Sequence, residues 1–131
     1  MTCRGVLVTN NPFLKSVSSA CEFVDGTSLD VLKRTRDLIH MGWVLLTHPL
    51  YGNLRPHQHP YRSVLLEGPH DVPSTDQLSL EYIENAVAIF TSPTSRMMSP
   101  EDAPPAVRED FAFIDAELMK ESLSRYGLAL K

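Results

Sequence analysis

Apolar positions along the chain fall into short continuous runs separated by longer stretches of helical spacing. Gly5–Thr9, Cys21–Val24, Trp43–Leu46 and Arg62–Leu66 are the short runs. Such runs predict strands covered on both faces rather than half-solvated ones. Between the second and third, Leu29, Leu32, Thr35 or Arg36 and Ile39 recur at helical spacing, and Val31, Leu38 and Met41 widen the stripe. This predicts a helix over Leu29–Met41, with Thr27 or Ser28 as its cap and Gly42 as its stop. A second amphipathic helix is predicted over Gln77–Phe90, where Leu80, Ile83, Ala86 or Val87 and Phe90 share one face. Pro105 opens a final helix that runs to about Tyr126. Val107, Phe111, Ile114 and Leu118 form its main stripe, and Phe113, Ala116, Met119 and Leu123 extend it sideways. A stripe that wide predicts packing on two surfaces, the sheet and a second body such as another copy of the chain. Asn10-Asn11-Pro12 stops the first strand, and Phe13–Ser19 reads as a short, weakly held helix.

Strand, helix, glycine, strand is a β-α-β unit, whose strands run parallel. The expected fold is therefore α/β: a small, mostly parallel sheet of about four strands with helices on both faces, a Rossmann-like three-layer arrangement. One domain spans 1–131, and residues 105–127 form a C-terminal helix packed on the core or on a partner. The direction of the fourth strand stays open, because Thr47–Tyr61 can be a long hairpin or a crossover. Sheets of this kind bind ligands beyond the carboxyl ends of their strands. Thr9-Asn10-Asn11, Asp25-Gly26-Thr27-Ser28 and Thr47-His48-Pro49 are expected to meet at that edge.

Composition narrows the function classes. The 131 residues carry a formal charge of −4 with mixed signs, which gives no general nucleic-acid surface. No apolar run approaches the roughly 20 residues of a membrane span. The apolar start after Arg4 is too short for a signal segment, so a soluble, cytoplasmic protein is expected. Cys3 and Cys21 are too few for a disulfide or metal framework and read as free thiols, buried or half-buried. No Gly-x-Gly-x-x-Gly follows the first strand and no Walker lysine motif occurs, so no cofactor is expected. A Gly-x-Ser-x-Gly nucleophile and paired carboxylates are also missing.

The chemistry concentrates in Thr47–Tyr61, which holds three Pro, three of the five His, one Gly and no acid. No Asp or Glu lies between Asp37 and Glu67, whereas Arg55, Arg62 and four His do. A locally positive loop in an acidic chain favours a small anionic ligand or an acidic partner. The candidate ligand-binding residues are Asn10, Asn11, Gly26, Thr27, Ser28, Thr47, His48 and Arg55. Without an anion, Arg55 and Arg62 are solvated loop charges. His48 follows a strand at the ligand-facing end. It can act as a general acid or base, or it can hydrogen-bond backbone and order the loop. His57 and His59 form His-x-His, but with no spaced Cys or acid no metal site is expected and exposed loop histidines are.

Several segments resemble the GrdX family: Val8–Pro12, Gly26–Leu32, Arg36–Gly42, Leu45–Pro56 and Pro60–Leu66. The Thr-His-Pro-Leu-x-Gly run is the most specific, and the resemblance covers roughly residues 5 to 90. GrdX proteins are encoded with the glycine, sarcosine and betaine reductase systems of anaerobic amino-acid-fermenting bacteria. The resemblance implies an accessory role around a selenium-dependent reductase that makes acetyl phosphate, with reductase subunits as partners. It carries Asn10, Asn11, Thr47, His48, Pro49 and Gly52 as family-pattern positions and brings no catalytic assignment. His57-Gln58-His59 departs from the acid-containing pattern of that loop. Three readings follow. One is an accessory protein that binds a small anion or a reductase subunit at the strand edge. Another is an enzyme acting on a phosphorylated or carboxylated metabolite through His48. The third is a structural homodimer assembled through the last helix.

Overall fold

Strands β1 (Arg4–Thr9), β2 (Cys21–Phe23), β3 (Val44–Leu45) and β4 (Ser63–Gly68) form one sheet in the order β2-β1-β4-β3. The computed structural model describes residues 4–15, 21–50, 59–69, 75–92 and 97–126. β1 and β2 are parallel, whereas β4 is antiparallel to both of its neighbours. The sheet is therefore mixed, which corrects the expectation of a mostly parallel one. The physical reason lies in how the chain returns after β3. It doubles back, and β4 inserts between β1 and β3 instead of crossing over to an outer edge. β4 pairs along its whole length with β1, from Thr9↔Ser63 to Arg4↔Gly68. β1, β2 and β3 share one direction, so their carboxyl ends and the start of β4 lie at the same sheet edge.

Helix α1 (Ser28–His40) carries the chain from one edge strand to the other. Thr27 is its N-cap: its hydroxyl accepts from the Asp30 N–H, while the Asp30 carboxyl accepts from the Thr27 N–H at 2.9 Å. This reciprocal capping box satisfies two amides that the helix itself cannot. Gly42 takes φ 99°, a left-handed conformation that suits glycine after a helix end. Helix α2 (Gln77–Thr91) is capped by Asp76, and α3 (Pro105–Arg125) starts on proline. Where the Phe13–Ser19 helix is predicted, Pro12–Leu14 form a 3₁₀ turn, and the rest of that span, residues 16–19, lies outside the described residues.

Strand alternation divides the core. Val8, Val64 and Leu66 face α1 and α2, joining Val31, Leu32, Ile39, Ile83 and Phe90 in one apolar cluster. Leu7 and Leu65 face the other way and pack with Leu14, Met119 and Leu123 of α3. Helices thus cover both faces. α3 seats itself through Ala112, Asp115, Met119 and Leu123. Of the predicted main stripe, Val107, Ile114 and Leu118 are 42%, 47% and 42% exposed and Phe111 is half-buried; of its sideways extension, Phe113 is 58% exposed while Met119 and Leu123 are buried. The seated face thus lies to one side of the predicted stripe, and Asp115 has polar partners there that no apolar count registers. No helix among the described residues is long and apolar enough to cross a membrane.

Candidate functional site

Asn10, directly after β1, is the hub of the shared sheet edge. Its Nδ2 donates to the carbonyls of Gly26 and Pro60, each at 3.0 Å, and its Oδ1 accepts from the Arg62 N–H at 2.8 Å. One buried amide therefore joins the end of β1, the turn before α1 and the approach to β4. Ser28 Oγ donates to the same Pro60 carbonyl at 3.1 Å. A Cβ at Gly26 would press on the Asp30 carboxyl that closes the capping box, so a side chain there would displace that carboxyl. Asn10, Gly26 and Ser28 are thus brought together by direct bonds, and Thr27 is held beside them as the helix cap.

Asn11 reaches in the other direction. Its Oδ1 accepts from Phe13 N–H, and its Nδ2 donates to the Ala112 carbonyl at 2.8 Å and to Asp115 Oδ2 at 2.9 Å. Ser63 Oγ donates to the same Asp115 oxygen at 2.7 Å and lies 2.7 Å from Thr9 Oγ1. Burying a carboxyl group is costly unless its oxygens are hydrogen-bonded, and this cluster supplies the bonds. It also ties α3 to β1 and β4. Sequence reading passed over Asp115 because it lies between apolar positions. Its 3.6-residue spacing from Ala112 and Met119 was the available signal.

Thr47 and His48 follow β3. Thr47 Oγ1 accepts from the Leu65 N–H at 3.0 Å, extending the ladder with β4 by a side chain. His48 is exposed, with its ring 4.9 Å from that of Tyr82 on α2. Its Nδ1 accepts from Leu50 N–H at 3.0 Å, which leaves Nε2 for a proton or a ligand. No bond joins His48 to the Asn10 hub among the described residues. Arg55, Gly52 and His57 lie outside the described residues.

The segment before β4 corrects two expectations. His59 and Arg62 are each 2% exposed and are not solvated loop groups. His59 packs beside Phe111 at 4.9 Å between ring centroids, and its Nδ1 accepts from Tyr61 N–H at 3.1 Å. Its Nε2 is buried with no hydrogen bond among the described residues. Burial holds the His59 pKa below its ordinary value and Arg62 pushes the same way, against the opposing charge of Asp115. The Arg62 guanidinium lies 5.6 Å from the centre of the Phe90 ring, a cation–π distance. Pinning of Pro60 by Asn10 and Ser28 turns these flanking residues inward. Loop composition could not reveal that, because the pins lie 50 and 32 residues away in sequence.

Cys21 is a free, half-buried thiol whose pKa is raised, first by burial and then by Glu22. A raised pKa keeps it protonated and a poor nucleophile. Among the described residues no three His, Cys, Asp or Glu side chains gather into a metal-binding set.

Comparison with known proteins gives one positive finding. The model of a family described as "GrdX-like protein" matches residues 6–124. The curated proteins and the solved structures give no match.

Proposed function

Because the chain belongs to the GrdX-like family, we propose that it serves as an accessory protein of a glycine, sarcosine or betaine reductase system. On this reading it binds a small anion or a reductase subunit at the sheet edge. The family match over residues 6–124 is the observation that carries the reading. The geometry adds support. The edge is pre-organised by Asn10, Asn11, Gly26, Thr27 and Ser28, whose bonds run to backbone and to Asp115. Thr47 fixes the base of the following loop, and His48 keeps an exposed ring nitrogen beside it. Pre-organisation of this kind lowers the ordering cost of binding. Contact with the ligand falls to His48 and Arg55, with the buried amides as their frame.

A thermal-shift screen tests the small-anion arm. A ligand that binds only the folded state raises the melting temperature by mass action. Acetyl phosphate, phosphate, glycine, sarcosine and betaine form the panel. A stabilising anion whose effect disappears in His48→Ala supports the site. An unchanged response in both His48→Ala and Arg55→Ala rejects it.

One observation favours a second reading, a homodimer built on α3. Val107, Phe113, Ile114 and Leu118 leave an apolar helix surface uncovered. Surfaces of that kind mark interaction sites when they are contiguous. Sedimentation at rising concentration tests it, and a chain that stays monomeric throughout rejects it.

A further inference from the structure

The 3₁₀ turn after β1 and the first turns of α3 enclose a cleft of about 250 Å³ that lies outside the Asn10 and His48 groups. Pro12, Phe13 and Pro105 give it apolar walls, and Tyr61, Arg108 and Glu109 supply its polar groups. Arg108 is only partly committed. Its Nη2 donates to the Ala103 carbonyl at 3.2 Å, while its Nε is buried and meets no acceptor among the described residues. That N–H lies out of reach of solvent, so the cleft meets Arg108 through the rest of its half-buried side chain, which brings the guanidinium charge to the wall. Tyr61 is 3% exposed. Burial, the largest influence, raises the pKa of its hydroxyl, with Glu101 acting the same way and Arg108 opposing. The phenol therefore stays protonated near neutrality and is available as a donor.

The charges around the cleft limit what it can hold. Arg108 is the one cation among its lining residues, Glu109 lines it as well, and Glu101 is close enough to act on Tyr61. A multiply charged anion such as phosphate would meet one positive group and two acids. A single carboxylate matches one guanidinium and one hydroxyl, since planar guanidinium recognises planar carboxylate well. The proline and phenylalanine walls suit an apolar body behind that carboxylate. The volume lies below the usual range for drug-sized ligands, which restricts the body to a few carbons or one ring.

We propose that this cleft binds a small monocarboxylate with an apolar body, its carboxylate held by Arg108 and Tyr61 and its body against Phe13, Pro12 and Pro105. The site is separate from the strand-edge reading and stands or falls without it.

Amide chemical-shift titration of the full chain tests the proposal. The probes are sodium butyrate and sodium benzoate, with inorganic phosphate and chloride at matched ionic strength as controls. The expected result is saturable shifts of Phe13, Tyr61, Arg108 and Ala112 with both carboxylates, and weaker binding of phosphate. Arg108→Gln should weaken carboxylate binding about tenfold or more, as loss of a charge-assisted hydrogen bond requires. Tyr61→Phe, which keeps the ring and its packing, should weaken it by a smaller factor. His48→Ala should leave it unchanged. Absence of saturable shifts in the cleft overturns the proposal. So does phosphate binding as tightly as the carboxylates, or unchanged affinity in Tyr61→Phe and Arg108→Gln together. If Arg108→Gln fails to fold, Tyr61→Phe decides alone.

Discussion

Asn10 makes three side-chain hydrogen bonds to backbone groups of two distant segments, and both of its N–H donors are used inside the protein. Asn10→Ala would leave the Gly26 carbonyl and the Arg62 N–H without this partner, and the Pro60 carbonyl with Ser28 Oγ alone. The expected loss is about 2–4 kcal/mol, given about 1 kcal/mol per net hydrogen bond and more where a buried group is orphaned. Urea unfolding reads it as a lower midpoint at constant slope. His59 supports a prediction of a different kind. Its pKa is held down in the fold by burial, so the unfolded chain binds the proton more readily. Stability is therefore unaffected by this group above its ordinary pKa of about 6.5 and falls as pH drops below that value. His59→Asn keeps an acceptor for the Tyr61 N–H and removes the titrating group. It should flatten the decline in melting temperature between about pH 6.5 and pH 5. At this scale the position of several edge residues was legible. Asn10, Thr27, Ser28 and Thr47 were all identifiable as edge residues from strand ends and turn chemistry. The bonds of Asn10, Ser28 and Thr47 to residues 60–65 were not, because a hydrogen bond between distant segments leaves no local signature. The same gap made His59 and Arg62 look solvated.

At the scale of elements, the strands and helices stand close to where periodicity places them, since each is written in local spacing. α1 occupies Ser28–His40 against a predicted Leu29–Met41, and α2 occupies Gln77–Thr91 against Gln77–Phe90. α3 shows where spacing is ambiguous. Its sequence has apolar residues nearly all round, so periodicity put Val107, Phe111, Ile114 and Leu118 at the centre of the stripe and Met119 and Leu123 at its side, whereas packing centres on Ala112, Asp115, Met119 and Leu123. The two assignments differ in their mutational consequences. Met119 is 1% exposed, and Met119→Ala should cost about 2–5 kcal/mol through the cavity it opens. Leu118 is largely exposed, and Leu118→Ala should stay within about 0.5 kcal/mol in the monomer. Chemical denaturation of the two variants compares them directly. Equal losses would mean that α3 is rotated relative to this account.

For the whole molecule, the sheet order explains why so many bonded segments meet at one edge. Three strand ends and the start of a fourth converge there, and β4 is held on both sides by β1 and β3. The mixed topology was hidden in the sequence because a 46–62 connection is compatible with a return in either direction. Only the pairing of β4 with β1 decides it. The fold class and the meeting of three strand ends were legible, since both follow from the β-α-β pattern. The central claim is that this hydrogen-bonded edge belongs to an accessory protein of a reductase system. Light scattering after gel filtration of the purified chain, mixed in turn with each purified subunit of a glycine reductase, tests it most directly. The account predicts a complex heavier than either component with at least one subunit, weakened by His48→Ala. Separate elution of the chain from every subunit, together with no stabilisation by any anion in the thermal screen, would contradict it.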